Sequence, residues 1–327
     1  MAVQLFLDAN IYLSFYLSGK DDIEEMAKAV KLIEDEEITL YANDQLRHEI
    51  RRNREAKIAQ GFNTLKSGNF GREFPIYCND YPEFNKLKEA LKEVGRVHSA
   101  LVEKVSLDIS NESLLADKLI NQLLELAVTL EITEETIKDA RFRHERGDPP
   151  GKSNSLGDAL HWETLLRKTG NGNLHIVSTD GDFSSPLNTN NIHAFLEKEW
   201  RESKKFGKIT LHGSLSNFFK ERFPAIKLSV EFEKDELIQK LDGSPNFSET
   251  HRIIAKLNEY EHFTVGQTKS IFSALVNNSQ VSWIATDADI QDFYKKFEAT
   301  AFFYVDSAVL SRAAELLELD DTFWIPF

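Results

Sequence analysis

Short apolar runs that end in acidic or polar residues, each followed by a segment with helical spacing, constrain the fold of this chain most. Val3–Leu7 is such a run and ends at Asp8, and Ile38–Tyr41 is a second one, followed by a helical pattern from Asp44 to about Gln60. An apolar run of this length predicts a buried strand. Strands that alternate with helices predict a parallel sheet covered by helices, the α/β class.

The same alternation returns in the second half of the chain. The predicted elements are a helix over Ser155–Lys168, a strand over Leu174–Ser178 and a strand over Lys208–Leu211. We therefore expect residues 1–222 to form one α/β domain.

Residues 61–147 interrupt this alternation with long helical patterns. The predicted helices are Glu83–Val105, Ser113–Leu130 and Thr133–Arg146. We interpret the segment as a helical insertion in the α/β core, and a separate helical domain is the alternative.

The last third of the chain differs in charge. Residues 231–327 carry 17 acidic and 8 basic residues. We expect residues 223–327 to form a smaller, mostly helical unit, with a strand over Val281–Ala285.

Composition narrows the functional classes. The 327 residues include 53 acidic and 39 basic ones, a net charge of −14. A protein that coats DNA generally needs net positive charge to release counterions, so that class is excluded, whereas an enzyme with an acidic centre is not. Cys78 is the single cysteine, which excludes an internal disulfide and fits a reducing compartment.

Targeting and membrane signals are absent from the sequence pattern. The N-terminal apolar run is about five residues long, too short for a signal-peptide core, and no stretch approaches the ~20 apolar residues of a membrane span. We expect a soluble, cytoplasmic protein with no membrane partner.

Four acidic residues stand at the ends or beginnings of the predicted α/β elements. They are Asp8 after the first strand, Glu49 in the helix after the second, Asp158 near the start of a helix, and Asp180 after a later strand. The carboxyl ends of strands in such a sheet open onto a common crevice. Carboxylates gathered there repel one another unless cations neutralise them, and oxygen ligands select Mg²⁺ or Mn²⁺ rather than zinc. Such a site suits metal-assisted phosphodiester hydrolysis.

Three local motifs accompany these acidic residues. They are Phe6–Tyr12 around Asp8, the strand and helix that carry Glu49, and Ile176–Phe183 around Asp180. With these motifs the sequence resembles the PIN-domain nucleases over roughly residues 1–215. The loop Gly147–Lys152, followed by Gly157–Glu163, resembles a larger bacterial PIN-like subfamily that was known only as a domain of unknown function.

The resemblance implies a Rossmann-like α/β/α sandwich and an endoribonuclease that uses Mg²⁺ or Mn²⁺ to hydrolyse RNA and leaves 5′-phosphate ends. Carried over residue by residue, it implies that the catalytic and metal-binding quartet is Asp8, Glu49, Asp158 and Asp180. Asp182 would be a further metal ligand, and Asn10 and Ser178 would orient the ligands through hydrogen bonds. The insertion is longer than in compact members of the family, which leaves the path of the substrate open.

Basic residues near the carboxylates are candidates for binding RNA. Arg47, Arg51 and Arg54 share one face of their predicted helix by helical spacing. A phosphate-contacting stripe and a solvated face paired with Glu55 explain this pattern equally well. Lys152, in the Gly/Pro-rich loop, is the candidate for contacting the scissile phosphate.

Three further features are interpreted as structural. His161, three residues after Asp158, is expected to pack against its neighbours rather than take part in chemistry. Thr286–Asp289 echoes Thr179–Asp182 but lacks the other acidic motifs nearby, so we interpret it as a turn whose aspartate caps a helix starting at residue 290. Cys78 has no histidine partner close in sequence and is not expected to be a nucleophile.

Two other functional classes stay open. A phosphatase of the haloacid dehalogenase type would use a similar sheet and Mg²⁺, but its nucleophile motif needs a second aspartate where this chain has Asn10. A catalytically silent PIN-like scaffold would bind RNA or a protein without cleaving anything. RNA is the expected substrate, and an antitoxin, an inhibitor or a second copy of the chain are the candidate protein partners.

Overall fold

A five-stranded sheet flanked by helices organises the structure, a computed structural model that describes residues 2–17, 20–68, 74–151, 155–205, 207–320 and 323–324. The strands are β1 (Val3–Leu7), β2 (Ile38–Ala42), β3 (Val128–Thr129), β4 (Leu174–Val177), β5 (Ser184–Ser185), β6 (Asn188–Ile192) and β7 (Ile209–His212). The sheet has the order β3-β2-β1-β4-β7, and β5 and β6 form a separate antiparallel pair.

Parallel pairing defines this sheet. β1 pairs in parallel with β4, β4 with β7, and β2 with β3. All four residues of β4 are buried, as are Leu5, Phe6 and Leu7 of β1, which is typical of interior parallel strands covered on both faces. Because parallel strands end at the same edge, the residues that follow β1 and β4 lie side by side.

Helices connect the strands. They are α1 (Ala9–Ser14), α2 (Lys20–Glu34), α3 (Asp44–Lys66), α4 (Pro82–Ser110), α5 (Leu115–Leu126), α6 (Glu134–Arg146), α7 (Leu156–Lys168), α8 (Ala194–Ser203) and α9 (Leu215–Arg222), with a 3₁₀ turn over Ile76–Asp80. Local sequence sets several of their ends. The side chains of Asn43 and Thr133 accept the backbone N–H groups that begin α3 and α6, and Gly147 ends α6 in the left-handed conformation at φ 72°.

The chain divides into two compact units. The larger one consists of Gln4–Met26 and Leu40–Phe218, and the smaller one of Met1–Val3, Ala27–Thr39 and Phe219–Phe327. The smaller unit contains α10 (Leu228–Asp242), α11 (Phe247–Leu257), α12 (Val265–Asn277), α13 (Ser279–Ser282), α14 (Ala288–Lys295), α15 (Ala301–Tyr304) and α16 (Ser307–Leu316). These helices enclose a core that includes the buried rings of Phe272, Phe293, Tyr294 and Trp324. The domain boundary at residue 222 stays a prediction.

The predicted fold class, a parallel α/β sheet with further helices, is confirmed. The strands predicted over Leu174–Ser178 and Lys208–Leu211 each lie within one residue of β4 and β7. Two local predictions are wrong. The helix expected over Ser113–Leu130 ends at residue 126, and Val281–Ala285 is a helical turn and its continuation rather than a strand.

The segment outside the sheet is also shorter than the insertion predicted over residues 61–147. β3 lies inside that segment and extends the sheet beside β2. α5 buries five of its residues, whereas α4 has no buried residue among those described. The helical excursion is therefore centred on α4. None of the described helices has the length and apolar character that crossing a membrane requires.

Candidate active site

The ends of β1 and β4 place two aspartates around one serine. Asp8 follows β1 and is buried, and its Oδ2 accepts a hydrogen bond of 2.6 Å from Ser178 Oγ. Ser178 follows β4, and its Oγ accepts the backbone N–H of Asp180 at 2.9 Å. The serine thus fixes the Asp8 carboxylate and the turn that carries Asp180.

Asn10, in the first turn of α1, approaches the same serine. Its Nδ2 donates to Ser178 Oγ across 3.5 Å. The Ser178 hydroxyl uses its single proton toward Asp8, so its lone pairs are free to accept from the amide. The Oδ1 atom of Asn10 is buried and has no hydrogen-bond partner within the described part of the chain, which leaves acceptor capacity beside the carboxylates.

The N-terminus of α7 brings a third carboxylate into this group. Ser155 caps the helix by accepting the backbone N–H of Asp158, which is 7% exposed. Burial, together with the charges of Asp8 and Asp180, raises the pKa of Asp158 to about 6 against the lowering effects of Ser155 and His161. Burial likewise raises the pKa of Asp8, against its hydrogen bond with the serine after β4. The three aspartates therefore form one group of mutually repelling charges.

Glu49 reaches α7 through a histidine. It lies on α3, is 9% exposed, and its Oε1 accepts a hydrogen bond of 2.6 Å from Gln45. Its Oε2 lies 3.3 Å from His161 Nε2. Burial pushes the pKa of Glu49 upward, but the His161 hydrogen bond and charge, helped by Gln45 and Arg52, outweigh burial and lower the net pKa.

His161 packs against its neighbours and also links α7 to α3 through polar contacts. Its ring centroid lies 5.5 Å from that of Phe6, as expected for a packed residue. Its Nδ1 lies 3.1 Å from Asn43 Oδ1, which already accepts the backbone N–H of Leu46. Both ring nitrogens face oxygen acceptors, so only the imidazolium can donate to both. Sequence reasoning missed this polar role, although the i, i+3 spacing from Asp158 was a usable signal.

Gly157 explains how α7 can approach Glu49 so closely. A Cβ at this position would overlap Glu49 Oε1 and would come within 3.1 Å of Gln45 Nε2. A side chain at the position immediately before Asp158 would therefore displace the Glu49 carboxylate from its present place.

Asp182 ties the strand end to the loop before α7. Its Oδ2 accepts the backbone N–H of Gly151 at 2.9 Å, and its own N–H donates to Asp180 Oδ1 at 2.9 Å. Gly151 adopts φ 101°, which favours glycine.

Arg143 secures the same loop and was not identified from the sequence. Its guanidinium donates to Glu163 at 2.8 Å, to the Pro149 carbonyl at 2.5 Å, and to both carboxylate oxygens of Glu199 at 2.8 and 2.9 Å. Trp162 Nε1 donates to the same Glu199 carboxylate. This buried network positions the loop that leads into Asp158.

The phosphate-facing stripe of Arg47, Arg51 and Arg54 stays a prediction: the three arginines line one pocket, and two of them also make contacts within the protein. Arg54 makes a two-point ion pair with Asp117 at 2.7 and 2.8 Å, and Arg47 donates to a backbone carbonyl of α5. These two guanidinium groups hold α5 against α3. Arg51 is exposed, and Lys152 lies outside the described residues.

The acidic segment in the smaller unit is a helix start. Asp287 occupies the N-cap position of α14, although the helix begins at residue 288 and the side chain makes no capping hydrogen bond. Asp287 and Asp289 contact His251 at 3.3 and 2.7 Å.

The donor set around Asp8 is chemically suited to a hard cation. Asp8, Asp158 and Asp180 offer carboxylate oxygens, the ligands that Mg²⁺ and Mn²⁺ prefer. A divalent cation would offset the repulsion that helps to raise the pKa of Asp158. As the described side chains stand, no three His, Cys, Asp or Glu residues are arranged to hold a metal ion. Serine and backbone hydrogen bonds hold the carboxylates instead.

An open parallel α/β fold with carboxylates at the carboxyl ends of neighbouring strands is thus established. The PIN-domain sequence profile matches residues 5–183, more than half of the chain, and this chain belongs to the PIN-domain family. PIN domains are generally nucleases. The matched region includes the residues from Asp8 to Asp182. No curated protein and no solved structure matches the chain significantly.

Proposed function

We propose that this chain is a metal-dependent endoribonuclease that hydrolyses RNA phosphodiester bonds. The observation that carries the proposal is the group of three interacting aspartates, Asp8, Asp158 and Asp180, at the carboxyl edge of the sheet. With Glu49 and Asp182, these residues would hold Mg²⁺ or Mn²⁺.

The surrounding residues position the carboxylates. Ser178 fixes Asp8, and His161 fixes Glu49 while favouring its ionised form. A bound divalent cation would activate water and stabilise negative charge on the phosphate oxygens. Fixing the ligands in advance lowers the cost of gathering them when substrate and ion arrive.

Substrate binding is assigned to basic residues near this edge. Arg51 is exposed on the helix of Glu49, and Lys152 precedes Asp158 in sequence. Both would contact phosphates, which orient a strand without reading its bases. The motifs shared with PIN-domain endoribonucleases support RNA as the substrate, and an antitoxin or inhibitor would be a partner that blocks this edge.

The test is cleavage of end-labelled RNA and DNA, single- and double-stranded, with Mg²⁺, Mn²⁺ or a chelator. We expect metal-dependent RNA cleavage that falls by about two orders of magnitude or more in Asp8→Asn, since a removed ligand costs at least what a lost ligand-orienting partner does. Asp287→Asn, an exposed aspartate of the smaller unit, is the matched control. Full cleavage by folded Asp8→Asn would contradict the site, and metal-independent RNA binding without cleavage would favour a silent scaffold.

A further inference from the structure

The longest described helix presents an apolar line to solvent. α4 has 29 residues, none of them buried. Five large apolar side chains of α4 are strongly exposed: Leu87 (44%), Val94 (42%), Val97 (54%), Leu101 (47%) and Leu107 (60%). Another side of the helix faces α3, where His98 Nε2 lies 2.8 Å from the carbonyl oxygen of Leu65.

The spacing of the first four of these residues is that of a coiled-coil seam, and Leu107 lies outside that line. Leu87, Val94 and Leu101 are seven residues apart, and Ala90 and Val97 follow the first two by three residues. These are the a and d positions of two consecutive heptads. Scattered apolar residues on a surface need no explanation, but a continuous line at heptad spacing is the surface that another helix covers.

We propose that α4 pairs with α4 of a second copy of this chain, in antiparallel orientation. The first half of the helix, Pro82–Arg96, carries four basic and three acidic residues, and the second half, Val97–Ser110, carries one basic and two acidic residues. Antiparallel pairing brings these oppositely charged halves together, so the helix is complementary to itself.

The residues that bound the seam select the same orientation. Glu83, Lys104 and Asp108 continue the a and d positions beyond the apolar stretch. A parallel, in-register pair would stack each of these charges on its own copy, which is destabilising.

An antiparallel pair avoids stacking Lys104 on its own copy, whereas the two acidic residues that end the seam, Glu83 and Asp108, face each other with Lys104 one helical turn from both. With Val94 opposite Val97, the small Ala90 faces Leu101. Lys104 then lies against Leu87, one helical turn from Glu83, within reach of its carboxylate. The resulting dimer interface uses none of the acidic residues of the candidate active site.

The first test is the molecular mass of the full chain in solution, measured by sedimentation equilibrium in a Cys78→Ser background. We expect a dimer at micromolar concentration, and a monomer for Val94→Glu and Leu101→Glu. Both side chains are already exposed, so the circular dichroism spectrum should stay unchanged, and the melting temperature should fall only by the stabilisation that the dimer contributes. Phe232→Glu, at a residue 54% exposed on α10, is the control that should remain dimeric. A monomeric parent chain, or a dimer that survives both substitutions, would overturn the proposal.

The second test is orientation, by oxidative cross-linking of single-cysteine variants in the same background. Ala90→Cys mixed with a tagged Leu101→Cys protein should give a mixed covalent dimer, whereas neither variant alone should cross-link. Antiparallel pairing separates the two Ala90 positions by about 11 residues, or ~16 Å along the axis, too far for a disulfide. Cross-linking of either variant with itself would show a parallel pair and refute the proposed arrangement.

Discussion

His161 Nε2 lies 3.3 Å from Glu49 Oε2, which places a histidine of α7 against a buried carboxylate of α3. The pKa of Glu49 is lowered by this contact in spite of burial, whereas the pKa of Asp158 is raised to about 6 by burial and by neighbouring aspartates. One site therefore contains carboxylates whose environments push their proton affinities in opposite directions.

Replacing His161 with Gln should move the acid limb of the pH profile of cleavage to higher pH. Without His161, the upward effect of burial on the pKa of Glu49 is opposed only by Gln45 and Arg52, so Glu49 protonates at higher pH. We expect a loss of about tenfold at pH 6 and a smaller loss at pH 8. Single-turnover rates between pH 5.5 and 8.5 measure this. His48→Gln, at an exposed residue beside Glu49, should keep the parent profile, and equal losses at all pH values would contradict the assignment.

Replacing Asp158 with Asn should stabilise the metal-free protein at pH 7 but not at pH 4. A pKa raised from 3.8 to about 6 means that the folded state holds this proton more tightly than the unfolded state. The stability associated with the proton is present below pH ~4 and is lost as pH rises through about 6. A shift of this size corresponds to about 1–3 kcal/mol. Urea unfolding in chelator at both pH values, with Asp287→Asn as control, tests it. A stabilisation that is equal at pH 4 and pH 7 would exclude this cause.

The main strands and the acidic positions could be predicted because they are local patterns. Val3–Leu7 and Leu174–Val177 are mostly apolar runs, each followed closely by an aspartate. A short apolar run by itself predicts a buried strand. The β3 strand has two exposed residues, and β6 reads Asn-Thr-Asn-Asn-Ile, so neither offers an apolar signal. Val281–Ala285 was expected to be a strand and is not, since a short, mostly apolar run fits a helical turn as well as a strand.

The polar partners of the site could not be derived in the same way. Helical spacing places Arg54 and Arg51 on the same face of α3. Only the tertiary structure shows that Arg54 pairs with Asp117 and that Arg51 is exposed. The contact between His161 and Asn43 likewise joins residues 118 positions apart. Helical periodicity assigns a face to a side chain, and it does not say which distant residue meets that face.

Arg54→Ala should affect mainly folding stability, and Arg51→Ala should affect mainly RNA binding. Loss of Arg54 leaves the buried carboxylate of Asp117 without its ion-pair partner, which should destabilise folding by about 3 kcal/mol or more. Loss of the exposed Arg51 should leave stability within ~0.5 kcal/mol and weaken RNA binding. It should also reduce the salt slope of single-strand affinity by about 0.7. Unfolding curves and RNA titrations at several salt concentrations separate the two. A destabilised Arg51→Ala or a fully stable Arg54→Ala would reverse these roles.

The double substitution Asp287→Asn/Asp289→Asn should leave RNA cleavage close to the parent rate. The two carboxylates contact His251, and both side chains are about half exposed. Exposed ion pairs contribute little, so the stability change should stay below ~1 kcal/mol. Cleavage rate and melting temperature are the measurements. A catalytic loss as deep as that of Asp8→Asn in a folded protein would require a second acidic site.

Gly157→Ala should impair cleavage while its matched control, Gly95→Ala, should not. The added methyl group at Gly157 would overlap Glu49 Oε1, so the carboxylate must swing away from His161 or α7 must shift, whereas a methyl group at Gly95 meets nothing within 4 Å. A displacement of about 1 Å in a positioned group can cost on the order of 100-fold in rate. Gly95→Ala lies within α4 and should instead stabilise the protein by roughly 0.5–1 kcal/mol through helix propensity. Single-turnover cleavage and urea unfolding of both variants give the comparison. Parent-level cleavage by Gly157→Ala would mean that the close approach of Glu49 to α7 is dispensable, and Glu49 would then have to be removed from the proposed ligand set.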